Sequence, residues 1–218
     1  MASKYQPRDR NGRFASKTGV AAVATAGLVA FGATTGGTGG PAGSLGSGTS
    51  SSVGKNLSAR KADSQKSARA GRADEAWNRL GMRTLRKAAR HHTECVSRSF
   101  GEVRQYLART RCTSLRRALF TIGDGEDSVV VSVAWVSFRT RGQAARLRDL
   151  IDVHGTGDIE PLGGEFVGAA GIRFSGHNYD SRLNRTVLTV AETETLSGEF
   201  SAEDLDTVAE VAALLPRP

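Results

Sequence analysis

The chain has 218 residues, of which 39% are hydrophobic, 6% aromatic, 26 glycine and two cysteine. Two cysteines are too few for a disulfide-stapled miniprotein, and a single apolar stretch of near-spanning length excludes a polytopic membrane protein. The net charge of +8 is unevenly spread: residues 1–17 carry +4, 18–54 none, 55–111 carry +10 and 112–218 carry −6, so the basic balance describes the front half only.

Lys4, Arg8, Arg10, Arg13 and Lys17 precede an uncharged Ala/Gly/Val stretch over residues 18–36. A positive flank followed by a mildly apolar segment predicts a signal anchor or a cleaved signal peptide. Nineteen residues rise roughly 28 Å as a helix, just enough to span a hydrocarbon core. The bases lie on the N-terminal side, so the positive-inside rule predicts residues 1–17 in the cytoplasm and the remainder outside. The expected lipid partner is the membrane, met through residues 18–36. The alternative is secretion after cleavage. No adjacent arginine pair of the twin-arginine type precedes the apolar stretch.

Residues 36–54 contain eight glycines, five serines and two threonines. Such a segment buries too little surface to offset its ordering entropy. Residues 55–72 are also polar, with six bases and one acid. The expectation is therefore a flexible linker over residues 37–73, followed by an extracytoplasmic domain over 74–218.

Residues 74–92 have helical spacing. On such a helix Arg79, Arg83, Arg86 and Arg90 stack into one stripe, a candidate surface for a polyanion or an acidic partner. A second helix is predicted from a Ser99/Glu102 capping box, with Phe100, Val103 and Leu107 as its apolar side. Two strands, 114–122 and 128–138, flank a Gly-acid turn. The second is apolar on both faces, which predicts a covered, central strand. A Thr140/Gln143 capping box opens the next helix, to about residue 153. A second hairpin is expected from strands 171–179 and 186–195, and a Ser201/Asp204 box opens the last helix. The fold class is α+β: an antiparallel sheet built from two β-hairpins each followed by a helix (αα-ββα-ββα), its helices on one face.

Cys95 and Cys112 flank the second helix. In an oxidising compartment an even pair predicts a disulfide, reachable if the helix is short and the chain folds back at both ends. The competing reading, a metal site from His91, His92 and Cys95, matches no zinc spacing. His154 and His177, with Asp158, Asp180 and Tyr179 nearby in sequence, are the candidates for acid–base chemistry in an exported envelope enzyme. No nucleophile motif accompanies them, and no cofactor is required. Gly155-Thr-Gly157 follows a helix rather than a strand, so it reads as a helix stop and not as a phosphate loop. Nucleic-acid association would rest on the basic segment 55–111 alone, which lacks interleaved aromatics.

Three stretches carry a resemblance. Cys95…Ser99-Phe-Gly-Glu-Val-Arg-Gln-Tyr-Leu…Cys112-Thr-Ser-Leu-Arg-Arg-Ala-Leu is similar to an exported or membrane-anchored actinobacterial family without assigned activity. So are Val131-Ser-Val-Ala-Trp-Val136 and Ala144…His154-Gly-Thr-Gly-Asp158. The resemblance covers about residues 90–216 and implies a cell-surface placement, with no catalytic residue. The leading expectation is a membrane-anchored domain that binds or senses an envelope or protein partner. An enzyme using His154 or His177 is the alternative.

Overall fold

The computed structural model describes Gln6–Pro7 and residues 57–218. The expected spanning segment 18–36 and the Gly/Ser stretch after it lie outside the described residues. Among the described residues, no helix is long and apolar enough to cross a membrane.

Chain order runs β1 (Gln6–Pro7), α1 (Leu57–Arg69), α2 (Ala73–Arg79), β2 (Arg83–His92), α3 (Gly101–Arg109), β3 (Ser114–Gly123), β4 (Ser128–Ser137), α4 (Arg141–Ile151), β5 (Val153–His154), β6 (Tyr179–Asn184), β7 (Val187–Ser197) and α5 (Ala202–Ala212). Single 3₁₀ turns occupy Val96–Arg98 and Gly164–Val167. Strands β2-β3-β4-β7-β6 form one five-stranded sheet, antiparallel at every pair, while β1 and β5 make a separate two-residue pairing.

The register separates the two faces. Ala118, Phe120 and Ile122 of β3 lie beside Val133, Val131 and Val129 of β4. This face packs against Trp77 of α2, Leu80 just after it, and Val208 and Val211 of α5, with Leu57 and Ala68 of α1 joining them. Leu115, Val136 and Leu188 point to the other face, where Val103 and Leu107 of α3 and Ala144, Leu147 and Ile151 of α4 cover them. Next to these, Leu119 and Val130 are covered by Leu162, Val167 and Ala169 of a loop. β4 is buried along its whole length, as its two apolar faces predict. Both faces are covered, so helices on one face only is an expectation the structure corrects.

Two capping boxes form as expected. The Thr140 and Ser201 side chains accept from the Gln143 and Asp204 amides, and those side chains reach back to the cap amides. The Ser99/Glu102 box does not form. Ser99 Oγ donates to the Val96 carbonyl, and Phe100 takes the N-cap position without a side-chain bond.

Three further expectations are corrected. The predicted helix 74–92 is α2 followed by strand β2. Gly81, at φ +84°, turns the chain after Leu80, and the remaining residues pair with β3. The polar residues 57–69, expected within the linker, form α1. Its small buried residues Ser64, Ser67 and Ala68 allow close approach to α2, and Ser64 Oγ donates to the Ala76 carbonyl at 2.7 Å. The first strand of the second hairpin lies at Tyr179–Asn184 and not at 171–179. Its tight turn uses Arg185 at φ +54°.

Candidate functional site: a cleft under a glycine-rich loop

Residues 155–178 connect β5 to β6 without a strand of their own. Loops of that length inside compact domains are uncommon and are characteristic of binding and active-site segments. Seven of these residues are glycine.

The loop is held by backbone. Ser99 and Ile159 form an antiparallel bridge. The Phe100 amide donates to the Asp158 carbonyl at 3.0 Å, and the Glu102 amide to the Thr156 carbonyl at 2.6 Å. The first turn of α3 therefore spends a free amide on this loop rather than on a side-chain cap or an anion. The approach is close enough to need glycine on both sides. A Cβ at Gly157 (φ +115°) would stand 2.2 Å from the Phe100 carbonyl oxygen, and one at Gly101 (φ +62°) 2.3 Å from that of Thr156. Gly155-Thr-Gly157 follows the short strand β5 and not α4 directly, a correction to the helix-stop reading, and it abuts α3, with Thr156 Oγ1 donating to the Leu150 and Val153 carbonyls.

Side chains fasten the rest of the loop. Thr121 Oγ1 donates to the Val167 carbonyl at 2.9 Å. The Ser175 amide and hydroxyl both donate to Glu194. Cys95 and Cys112 stand as a disulfide, their Cα atoms 6.3 Å apart, and tie together the two ends of the segment carrying α3.

These constraints leave a cleft of about 690 Å³ between the loop, the start of α3 and the sheet. Phe100, Ile151, Ile172 and Phe174 supply apolar wall, while His154, Asp158, Arg173 and Glu192 supply polar groups. Volume and mixed lining are those of a small-molecule or peptide-segment site. His154 stacks on His177, with ring centroids 5.4 Å apart and planes inclined by 24°. The two histidines named from sequence thus meet, and His154 lines the cleft together with Asp158 and Glu192. Ser175, two residues before His177, is engaged by Glu194.

Other candidates lie elsewhere. Tyr179 hydroxyl and Ser181 Oγ both donate to Asp152 at the end of α4. Asp180 is buried on the opposite, helix-covered face. There burial pushes its carboxyl up to about 7, against the lowering effect of Arg182. His91, His92 and Cys95 do not assemble: Cys95 is in the disulfide and His92 Nε2 lies 3.1 Å from Arg117. Among the described residues no group of three or more His, Cys, Asp or Glu could hold a metal.

The four arginines do not form one stripe on a helix. Arg79 sits on α2 and pairs with Glu75 at 2.7 Å. Arg83, Arg86 and Arg90 lie on the edge strand β2. A bulge at Leu85 absorbs the odd step, so they oppose Gly123, Thr121 and Arg117 and share the loop-covered face. Arg90 reaches over the Phe166 ring at 5.1 Å. Sequence reasoning missed Arg117. Its signal would have been a lone arginine at an inward position of an otherwise apolar strand.

Comparisons with family models, with curated proteins and with solved structures find no match.

Proposed function

We propose that residues 57–218 form a ligand-binding or sensing domain that works outside the cytoplasmic membrane and takes its ligand in the cleft under loop 155–178. The carrying observation is the cleft itself: a roomy, mixed apolar and polar hollow whose long wall is fixed by paired backbone rather than left loose. Preorganisation of this kind lowers the entropy cost of binding. The Cys95–Cys112 bridge supports an oxidising compartment. The basic N-terminal flank and the apolar residues 18–36 support anchoring with the N-terminus inside. That topology and the β1–β5 pairing exclude one another within one chain, because it would place Gln6–Pro7 and Val153–His154 on opposite sides of the bilayer.

The test uses a C-terminally tagged full chain. External protease should remove the tag from intact cells, and thiol trapping should find both cysteines oxidised; a protected tag with free thiols overturns the placement. Purified wild-type protein should adsorb to isolated cell envelope, and the Phe100→Arg variant at least about tenfold less, the loss expected for blocking a cleft at an exposed, structurally tolerant position. Equal adsorption overturns the cleft.

The His154–His177 contact favours a second reading, an exported enzyme that moves a proton through this pair on envelope material. It separates from the first by variants. His154→Asn and His177→Asn would abolish turnover under the enzyme reading and leave adsorption intact.

A further inference from the structure

Arg90 and Arg117 are directly opposite one another in the β2–β3 register. Like charges at cross-strand positions repel, and removing a guanidinium from water adds to the cost. Arg117 is only 6% exposed. Its Nη1 donates to the carbonyls of Glu160 and Pro161 at 2.6 and 3.1 Å, and its Nη2 lies 3.1 Å from His92 Nε2. Its Nε–H is buried without a partner. Burial, and then the neighbouring Arg98, weaken the hold of Arg117 on its proton. Burial, Arg117 and Arg98 together hold His92 below its ordinary range, which keeps it neutral and able to accept.

Arg79 pairs with Glu75, Arg148 with Asp152 and Arg182 with Asp180. Among the described residues no carboxylate forms an ion pair with Arg90, Arg98 or Arg117. Glu94, which acts on His92 through space, is taken by the Ser97 amide and hydroxyl. Glu160 gives Arg117 its carbonyl and favours the charge only from a distance. Bracing the loop accounts for the Nη1 bonds of Arg117. It does not account for Arg90, which opposes Arg117 in the register, or for Arg98, whose carbonyl accepts from the amide of the same Glu160 that Arg117 holds.

We propose that Arg90 and Arg98, both exposed, together with the buried Arg117 beside Glu160 and Pro161, form an anion site for a phosphate group, either free or carried by a polymer. A phosphate group supplies about one to two negative charges and several acceptor oxygens, enough to bridge guanidinium groups that repel one another. The site is separate from the cleft and does not depend on it. Arg86 and Arg83 continue the row along the exposed edge strand. A polymer would run along them, whereas a single phosphate stops at Arg90.

Calorimetric titration of the oxidised full chain with inorganic phosphate, and separately with polyphosphate, in a constant chloride background tests this. Saturable binding is expected, and the double variant Arg90→Gln/Arg98→Gln should weaken it at least about tenfold, the loss of one or more charge-assisted bonds. Both positions are exposed, so the variant should retain the wild-type circular dichroism and melting temperature. The second double variant, Arg83→Gln/Arg86→Gln, identifies the source. Weakening of polyphosphate alone supports the site and assigns it to a polymer, and an effect on neither ligand supports the site and assigns it to single phosphates. Absence of saturable binding to both ligands, or equal binding by the folded Arg90→Gln/Arg98→Gln variant, overturns the proposal.

Discussion

The two faces of the sheet are covered in different ways. One carries three helices, and its interior is a continuous apolar layer from Trp77 to Trp135 and Val211. The other carries two short helices and a 24-residue glycine-rich loop, and it divides into two smaller apolar groups. The stacked histidines, the cleft and the buried Arg117 all belong to this second face. Regular packing secures stability, while a loop held by backbone bonds gives a concave surface that helices lying flat on a sheet do not provide.

Perturbing each face in turn sharpens the contrast. The largest effect is expected from Trp77→Ala, which empties a fully buried position on the helix-covered face. A loss of about 3–5 kcal/mol in denaturant unfolding is predicted, with the whole domain unfolding together. A loss under about 1 kcal/mol would mean that this face is not the stabilising one.

Gly157→Ala comes next. The added methyl meets the Phe100 carbonyl at a backbone conformation that alanine resists. A loss of about 3 kcal/mol is expected. Gly125→Ala, at φ +121° but with open space around it, should cost only about 1 kcal/mol. Similar values for the two variants would show that the α3–loop junction is not close-packed.

The smallest effect is a pH dependence of opposite sign on the two faces. On the helix-covered face the Asp180 carboxyl is raised to about 7, so the folded chain holds a proton that the unfolded chain has lost. Its contribution to stability therefore falls as pH rises from about 4 to about 7. Asp180→Asn should stabilise the protein by on the order of 2 kcal/mol at pH 8 and by almost nothing at pH 4. On the loop-covered face His92 is depressed, so its contribution is present above its unfolded value and is lost as pH falls through the folded one. Urea melts of wild type, Asp180→Asn and His92→Gln at four pH values would read both signs. A pH-independent difference between wild type and Asp180→Asn would contradict the assignment.

The sequence showed the middle of this fold well and its edges badly. Strand β4 was legible because Val129 to Val136 are apolar on both sides, a pattern only a covered central strand uses. The helices α4 and α5 were legible from side-chain caps that act locally. Strand β2 was not, because its exposed Arg, Lys and His side chains carry no alternating apolar pattern. Its extended state comes from pairing with β3, and the one local sign was Gly81 inside an apparent helix. Helix α1 was missed because its buried side is serine and alanine, small residues that read as linker. The cleft was half legible. His154 and His177 could be named, but their meeting depends on the loop path. That path is set by contacts between the backbones of Gly101 and Gly157, which leave no pattern beyond the glycines themselves.

The claim that the loop-covered face is the binding face is tested most directly by protein-observed NMR of the oxidised full chain against a small-fragment library. Fragments should shift the His154 and His177 ring signals and the Ile151 and Ile172 methyls while leaving the Trp77 and Trp135 indole signals in place. Fragments that shift the tryptophan indoles, with the cleft signals unmoved by every compound, would contradict it.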